Sequence, residues 1–161
     1  MTSAFLAMLF ETLITIAFVV AIAVLLKKLL ARAGGARRPD GREVPDAGGW
    51  SDLARRFADD RPIAEPVARA ASIKVGSTMW KNCAAIGVEE AGLRLAVRVP
   101  LLGGFGKAPL LVPWSEIVEV VPAHLFWGAA RRLVIGRPTL ATVTLPEAVF
   151  EAILARGHLA R

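Results

Sequence analysis

The chain has 161 residues, 55% of them apolar, with a formal net charge of +6, which suits one ordinary domain plus an appendage. The charge is unevenly placed: residues 1–26 carry only Glu11, residues 27–42 carry six Lys and Arg against Asp40, and residues 43–161 carry 14 Lys and Arg against 12 Asp and Glu. The larger part is therefore close to neutral, which removes the electrostatic case for a nucleic-acid partner, and a single cysteine, Cys83, excludes an intramolecular disulfide.

The first element in chain order is the run Ala4 to Leu26, 23 residues with one charge. About 20 apolar residues cross a hydrocarbon core of roughly 30 Å, so the run predicts an uncleaved, single-pass transmembrane helix within a segment 1–30. A secretory signal would carry positive charge ahead of a shorter apolar stretch, and none precedes this one. Lys27, Lys28, Arg32, Arg37 and Arg38 follow the run as a basic membrane flank. Basic residues stay on the cytoplasmic side, so the expectation is a plasma (inner) membrane protein with its N-terminus outside and its C-terminal domain cytoplasmic. The bilayer and its anionic headgroups are then natural partners. Glu11 lies about one helical turn inside the outer boundary on this placement. It is read either as a carboxyl that snorkels or stays protonated, or as a contact with a partner helix. Ala17 and Ala21 add a small-xxx-small spacing that an Ala-rich helix produces easily.

Residues 31–49 follow, rich in Gly, Pro and charge with no apolar period, which predicts a flexible linker. The folded domain is expected over 50–161. It opens with a short amphipathic helix over 50–60, where Ser51 is the predicted N-cap and Trp50, Leu53, Ala54 and Phe57 share one apolar face. Strands are expected over 71–145. The first is Ile73 to Trp80 and the second Cys83 to Val88, with a turn at Glu89-Glu90-Ala91-Gly92. Leu93, Leu95, Val97 and Val99 then alternate with Arg94, Ala96 and Arg98 in a half-buried strand. Leu110 to Val112, Ile117 to Val121, Arg131 to Ile135 and Leu140 to Leu145 complete about seven short antiparallel strands, with Arg137-Pro138 in the last turn. Pro146 starts an amphipathic helix over 146–156 with Val149, Phe150, Ile153 and Leu154 on one face, and Gly157 marks its end. The fold class is α+β, mainly β.

The phrase Gly92-Leu93-Arg94-Leu95, followed by Leu111-Val112-Pro113-Trp114-Ser115-Glu116-Ile117, resembles bacterial pleckstrin-homology-like (GRAM-like) domains over about residues 71–156. Val112 stands where isoleucine is usual. The resemblance implies a seven-stranded PH-like barrel or sandwich of two bent sheets, capped by a C-terminal amphipathic helix. It implies a domain that binds lipid headgroups or peptides. No lipid-binding motif transfers, because the first hairpin has only Lys74 and Lys81. Ala- and Arg-rich usage resembles that of a GC-rich bacterium.

The chemistries that fail are informative. Gly103-Gly104-Phe105-Gly106-Lys107 misses the phosphate-loop pattern at Leu101 and at Ala108. Two histidines, His124 and His158, and one cysteine are too few for a typical His/Cys zinc site. Cys83 sits in an apolar strand, where an inert thiol is expected. No catalytic residue, metal ligand or cofactor is expected, and the chain is not read as an enzyme. Two apolar clusters are left. Leu101, Leu102, Phe105 and Lys107 form a candidate contact loop, either exposed or packed, whereas Leu125, Phe126 and Trp127 are read as core. The leading expectation is a membrane-anchored binding or scaffolding module for an unknown protein partner or a homo-oligomer. The alternative is a lipid-surface sensor using the basic collar and loop 101–107.

Overall fold

The computed structural model describes residues 12–25, 35–98 and 107–156, and the chain divides into two compact units, Met1–Gly34 and Gly35–Arg161. In the first unit the described residues form one helix, α1, over 12–25. No helix among the described residues is long and apolar enough to cross a membrane. This corrects the expected transmembrane helix and the single-pass reading built on it. Glu11, Lys27, Lys28 and Arg32 lie outside the described residues, and no described span is there for the charge asymmetry to orient.

The second unit is mainly β. A two-stranded ribbon, β1 (Ala36–Arg37) and β2 (Glu43–Val44), precedes helix α2 (Trp50–Phe57). Seven strands follow: β3 (Pro66–Val75), β4 (Thr78–Glu89), β5 (Gly92–Val97), β6 (Leu110–Pro113), β7 (Ile117–Leu125), β8 (Gly128–Ile135) and β9 (Ala141–Pro146). Helix α3 (Glu147–Leu154) comes last. The seven strands form one antiparallel sheet in the order β6-β5-β4-β3-β9-β8-β7. Its two end strands, β6 and β7, are joined in the chain by only the 3-10 turn Trp114–Glu116. Strands at opposite ends of a sheet can be that close in sequence only if the sheet curls toward itself, and the expected barrel or sandwich of two bent sheets is corrected to one curled sheet, a half-barrel.

The inward residues of this curl make the main core. Leu93, Leu95 and Val97 of β5 meet Ile73, Val75 and Ile86, with Leu133, Ile135, Val143 and Leu145 opposite. Helix α3 packs on β3, β8 and β9 through Phe150 and Ile153, whereas α2 lies against β6 and buries Trp50, Leu53 and Phe57. A second, smaller core lies where the β1–β2 ribbon covers β7 and β8 with Ala36 and Val44 against Val121, Ala123, Leu125, Ala130 and Val134.

Four local expectations are corrected. The N-cap of α2 is Gly49, not Ser51, no side chain caps it, and the helix ends at Phe57 because Ala58 pairs with Leu110 across to β6. The first turn falls at Gly76-Ser77, inside the expected strand Ile73–Trp80, since Gly76 takes a left-handed φ of +55° that glycine adopts without a Cβ penalty. Residues 35–49, expected as tether, pair as strands and pack on the sheet. Their glycines and prolines shape a strap rather than a coil.

The fourth correction concerns Arg94, expected on the open face of a half-buried strand and found fully buried. Residues 58–65 cross the outer face of β4 and β5 as a second strap. Ile63 lies over Gly87, where a Cβ would come within 2.5 Å of its Cγ2 atom. Arg94 holds this strap by donating from Nη1 to the carbonyl oxygens of Asp59 and Arg61 at 3.2 and 2.9 Å and from Nη2 to Asp59 Oδ2 at 3.2 Å, and it also pairs with Glu89.

Candidate docking site

The apolar cluster read as core divides at the β7–β8 turn. Leu125 faces the second core and pairs with Gly128, which leaves Phe126 and Trp127 as a two-residue hairpin loop. Trp127 is 83% exposed and Phe126 49%. They are the only exposed large hydrophobic side chains among the described residues of the second unit, so the core expectation is corrected for both. The reason is geometric: a two-residue loop between paired strands turns its side chains away from the sheet.

Phe126 has a φ of +55°, while that of Trp127 is not positive. Positive φ at the first loop position is the sign of a II′-type hairpin, where glycine is the usual residue. A phenylalanine there costs of order 1 kcal/mol or more, and such strain concentrates at functional positions. The other described non-glycine residue of positive φ is Asn82, at +50°. It lines the same shallow groove as Ser72, Lys81, Phe126, Trp127 and Pro146. Ser72 fixes Asn82: its hydroxyl donates to Asn82 Oδ1 at 2.8 Å and accepts the Asn82 N–H at 3.0 Å. Lys81 Nζ sits 5.5 Å from the centroid of the Phe126 ring, close enough for a cation–π contact. The result is a projecting aromatic pair with one cation beside it.

The other sequence-predicted positions are dispersed. Arg37 pairs with Glu43 at 3.1 Å, and Arg38 forms a two-pronged bridge to Glu119 at 2.7 and 2.8 Å. That bridge holds the Glu119 carboxyl below its usual range and raises the Arg38 guanidinium. Both basic residues thus have carboxylate partners within the domain. Lys107 is exposed, and Leu101, Leu102 and Phe105 of the candidate contact loop lie outside the described residues, as does His158. Burial pushes the Cys83 thiol up, away from the thiolate form. Among the described residues no three His, Cys, Asp or Glu side chains gather where they could hold a metal ion.

Sequence reasoning found Phe126 and Trp127 but gave them the wrong environment. The missed signal was the hairpin itself: strands on both sides leave two residues between Leu125 and Gly128, too few to fold back into a core. Compared with known proteins, the chain matches no family model, no curated protein and no solved structure.

Proposed function

We propose that residues 35–156 are a non-catalytic binding module that docks a protein partner through the β7–β8 hairpin tip. The observation carrying this reading is the 83% exposure of Trp127 on a turn that places a strained Phe126 beside it. Water gives no reason to hold two adjacent aromatics on a hairpin tip, and tryptophan is among the residues most enriched at binding hot spots. Lys81, at the base of the tip, gives the partner's chemistry: an apolar recess with a carboxylate on its rim. The pleckstrin-homology-like assignment is part of the same proposal. Its support is the strand order and the helix that follows β9.

Photo-crosslinking from position 127 of the full chain in its host cell, with position 139 on another turn as control, tests the reading. A partner recovered only from position 127 is then purified and titrated. Trp127→Ala should weaken binding by about 2 kcal/mol or more, and reversing a partner carboxylate should rescue Lys81→Glu. Equal adducts from both positions, adducts only to lipid or to a second copy, or binding indifferent to Trp127→Ala would reject it.

A further inference from the structure

Beside Ile63 the strap leaves part of the outer sheet face uncovered, and a cleft of about 240 Å³ opens there between the strap, the start of β3 and the end of β5. Its floor is Ala85 and Ala96, which are cross-strand partners. Two methyl-sized side chains set opposite each other leave depth that any larger pair would fill. Arg61, Arg69 and Arg98 line the cleft, and no acidic side chain does. Arg61 is held by Asp59 through Nε and Nη2. Arg69 and Arg98 are in no ion pair among the described residues. Prolines 62, 66 and 109 form part of the wall, and their fixed φ lowers the ordering cost of a binding event.

From this arrangement we infer that the cleft is a binding site for a phosphoryl dianion, free or as the monoester of a small soluble molecule. Two guanidinium groups without carboxylate partners among the described residues match a charge near −2. Their planar forks suit the several acceptor oxygens of a phosphate better than the two of a carboxylate. The third, Arg61, is oriented by Asp59 and presents its remaining N–H groups. The site is separate from the hairpin tip and does not depend on the docking proposal.

The test titrates the full chain with inorganic phosphate, glycerol phosphate and acetate at constant ionic strength, following the backbone amide signals of Ala85, Ala96 and Arg98. Saturable shifts are expected with either phosphate, and acetate should bind about tenfold more weakly. Tighter binding of glycerol phosphate identifies a monoester site, and tighter binding of inorganic phosphate identifies a site for the free ion. Arg69→Gln and Arg98→Gln should each weaken binding about tenfold, whereas Arg37→Gln, which removes an equal surface charge elsewhere, should leave it unchanged. Ala96→Glu, placing a carboxylate on the floor, should abolish binding in a chain whose melting curve shows it folded. No saturable shift, equal affinity for acetate, or equal loss in Arg37→Gln would overturn the inference.

Discussion

The curled sheet has two outer faces covered by straps, and each strap is pinned by a buried arginine, yet the two are held by different physics. Over β4 and β5, Arg94 faces Glu89, Asp59 and two backbone carbonyls, and the apolar contribution is mainly Ile63 on Gly87. Over β7 and β8, Arg132 bridges Asp46 at 2.8 Å and donates to Thr144 Oγ1 at 3.1 Å and to the Val44 carbonyl. Here Ala36 and Val44 also bury against five residues of the second core. Lys74 reaches the same Asp46 from β3. A buried charge must be paired, and the two sites solve that requirement with opposite proportions of ion pairing and apolar burial. One face is fastened mostly by charge, the other by charge laid over a hydrophobic seal.

The largest effect should come from Arg94→Met. It leaves Glu89 and Asp59 without their shared cation and should cost roughly 3–5 kcal/mol in urea unfolding. Hydrogen exchange should rise along 58–65 and stay low along 36–46. If both straps open together, they are one cooperative unit and the contrast fails. Arg132→Met should cost less, about 2–3 kcal/mol, because Ala36 and Val44 still seal the face after charge-assisted hydrogen bonds are lost. A cost equal to that of Arg94→Met would show that the apolar seal contributes little. Val44→Ala isolates that seal, and about 1–2 kcal/mol is expected from the lost methyl groups and the cavity they leave.

Acid should loosen both straps, since Arg38 lowers Glu119 on β7 just as arginines lower the carboxyls over β4 and β5. Side-chain hydrogen bonds from Arg61 and then Arg94 hold the Asp59 carboxyl well below its usual range, and Arg94 lowers Glu89 in the same way. A carboxyl depressed in the folded state contributes stability that is fully present above its unfolded pKa and lost as pH falls through the folded one. Stability should therefore be level above about pH 5 and decline below it. In Arg94→Met part of that decline should vanish, because Glu89 loses its main lowering partner. An unchanged acid profile would show that the pair is not coupled to folding. The smallest effect belongs to Trp127→Ser, which should leave the urea midpoint within error, since the side chain touches solvent on most of its surface. A clear loss of stability there would mean that the tip is structural and would undercut its docking role.

Much of the sheet was legible in the residues. Period-two alternation placed Leu93, Leu95 and Val97 inside β5, and Pro146 with the face of Phe150 and Ile153 gave α3 nearly to the residue. The failures share a cause. Arg94 alternates like a solvent-facing residue, and nothing local says that residues 58–65 will return to cover it. Gly-rich residues 35–49 have the composition of a tether, but Val44 and Arg132, 88 positions apart, are in contact. The tip is two adjacent residues, Phe126 and Trp127, whose exposure follows from the hairpin, but the basic cleft is not a contiguous motif. The cleft combines positions 61, 69, 85, 96 and 98, and no spacing rule joins them.

By itself, then, the sequence determined which residues alternate, where α3 begins and that the charge of residues 43–161 is nearly balanced, because these can be read without knowing the fold. It also marked residues 4–26 as apolar, whereas no helix among the described residues is long and apolar enough to cross a membrane. Only the tertiary structure decided which faces of the sheet are covered. It sealed Arg94 and Arg132, left Trp127 in water, and left Arg69 and Arg98 facing an open cleft. Burial of a strand's outer face depends on where distant segments return, and local periodicity carries no record of that.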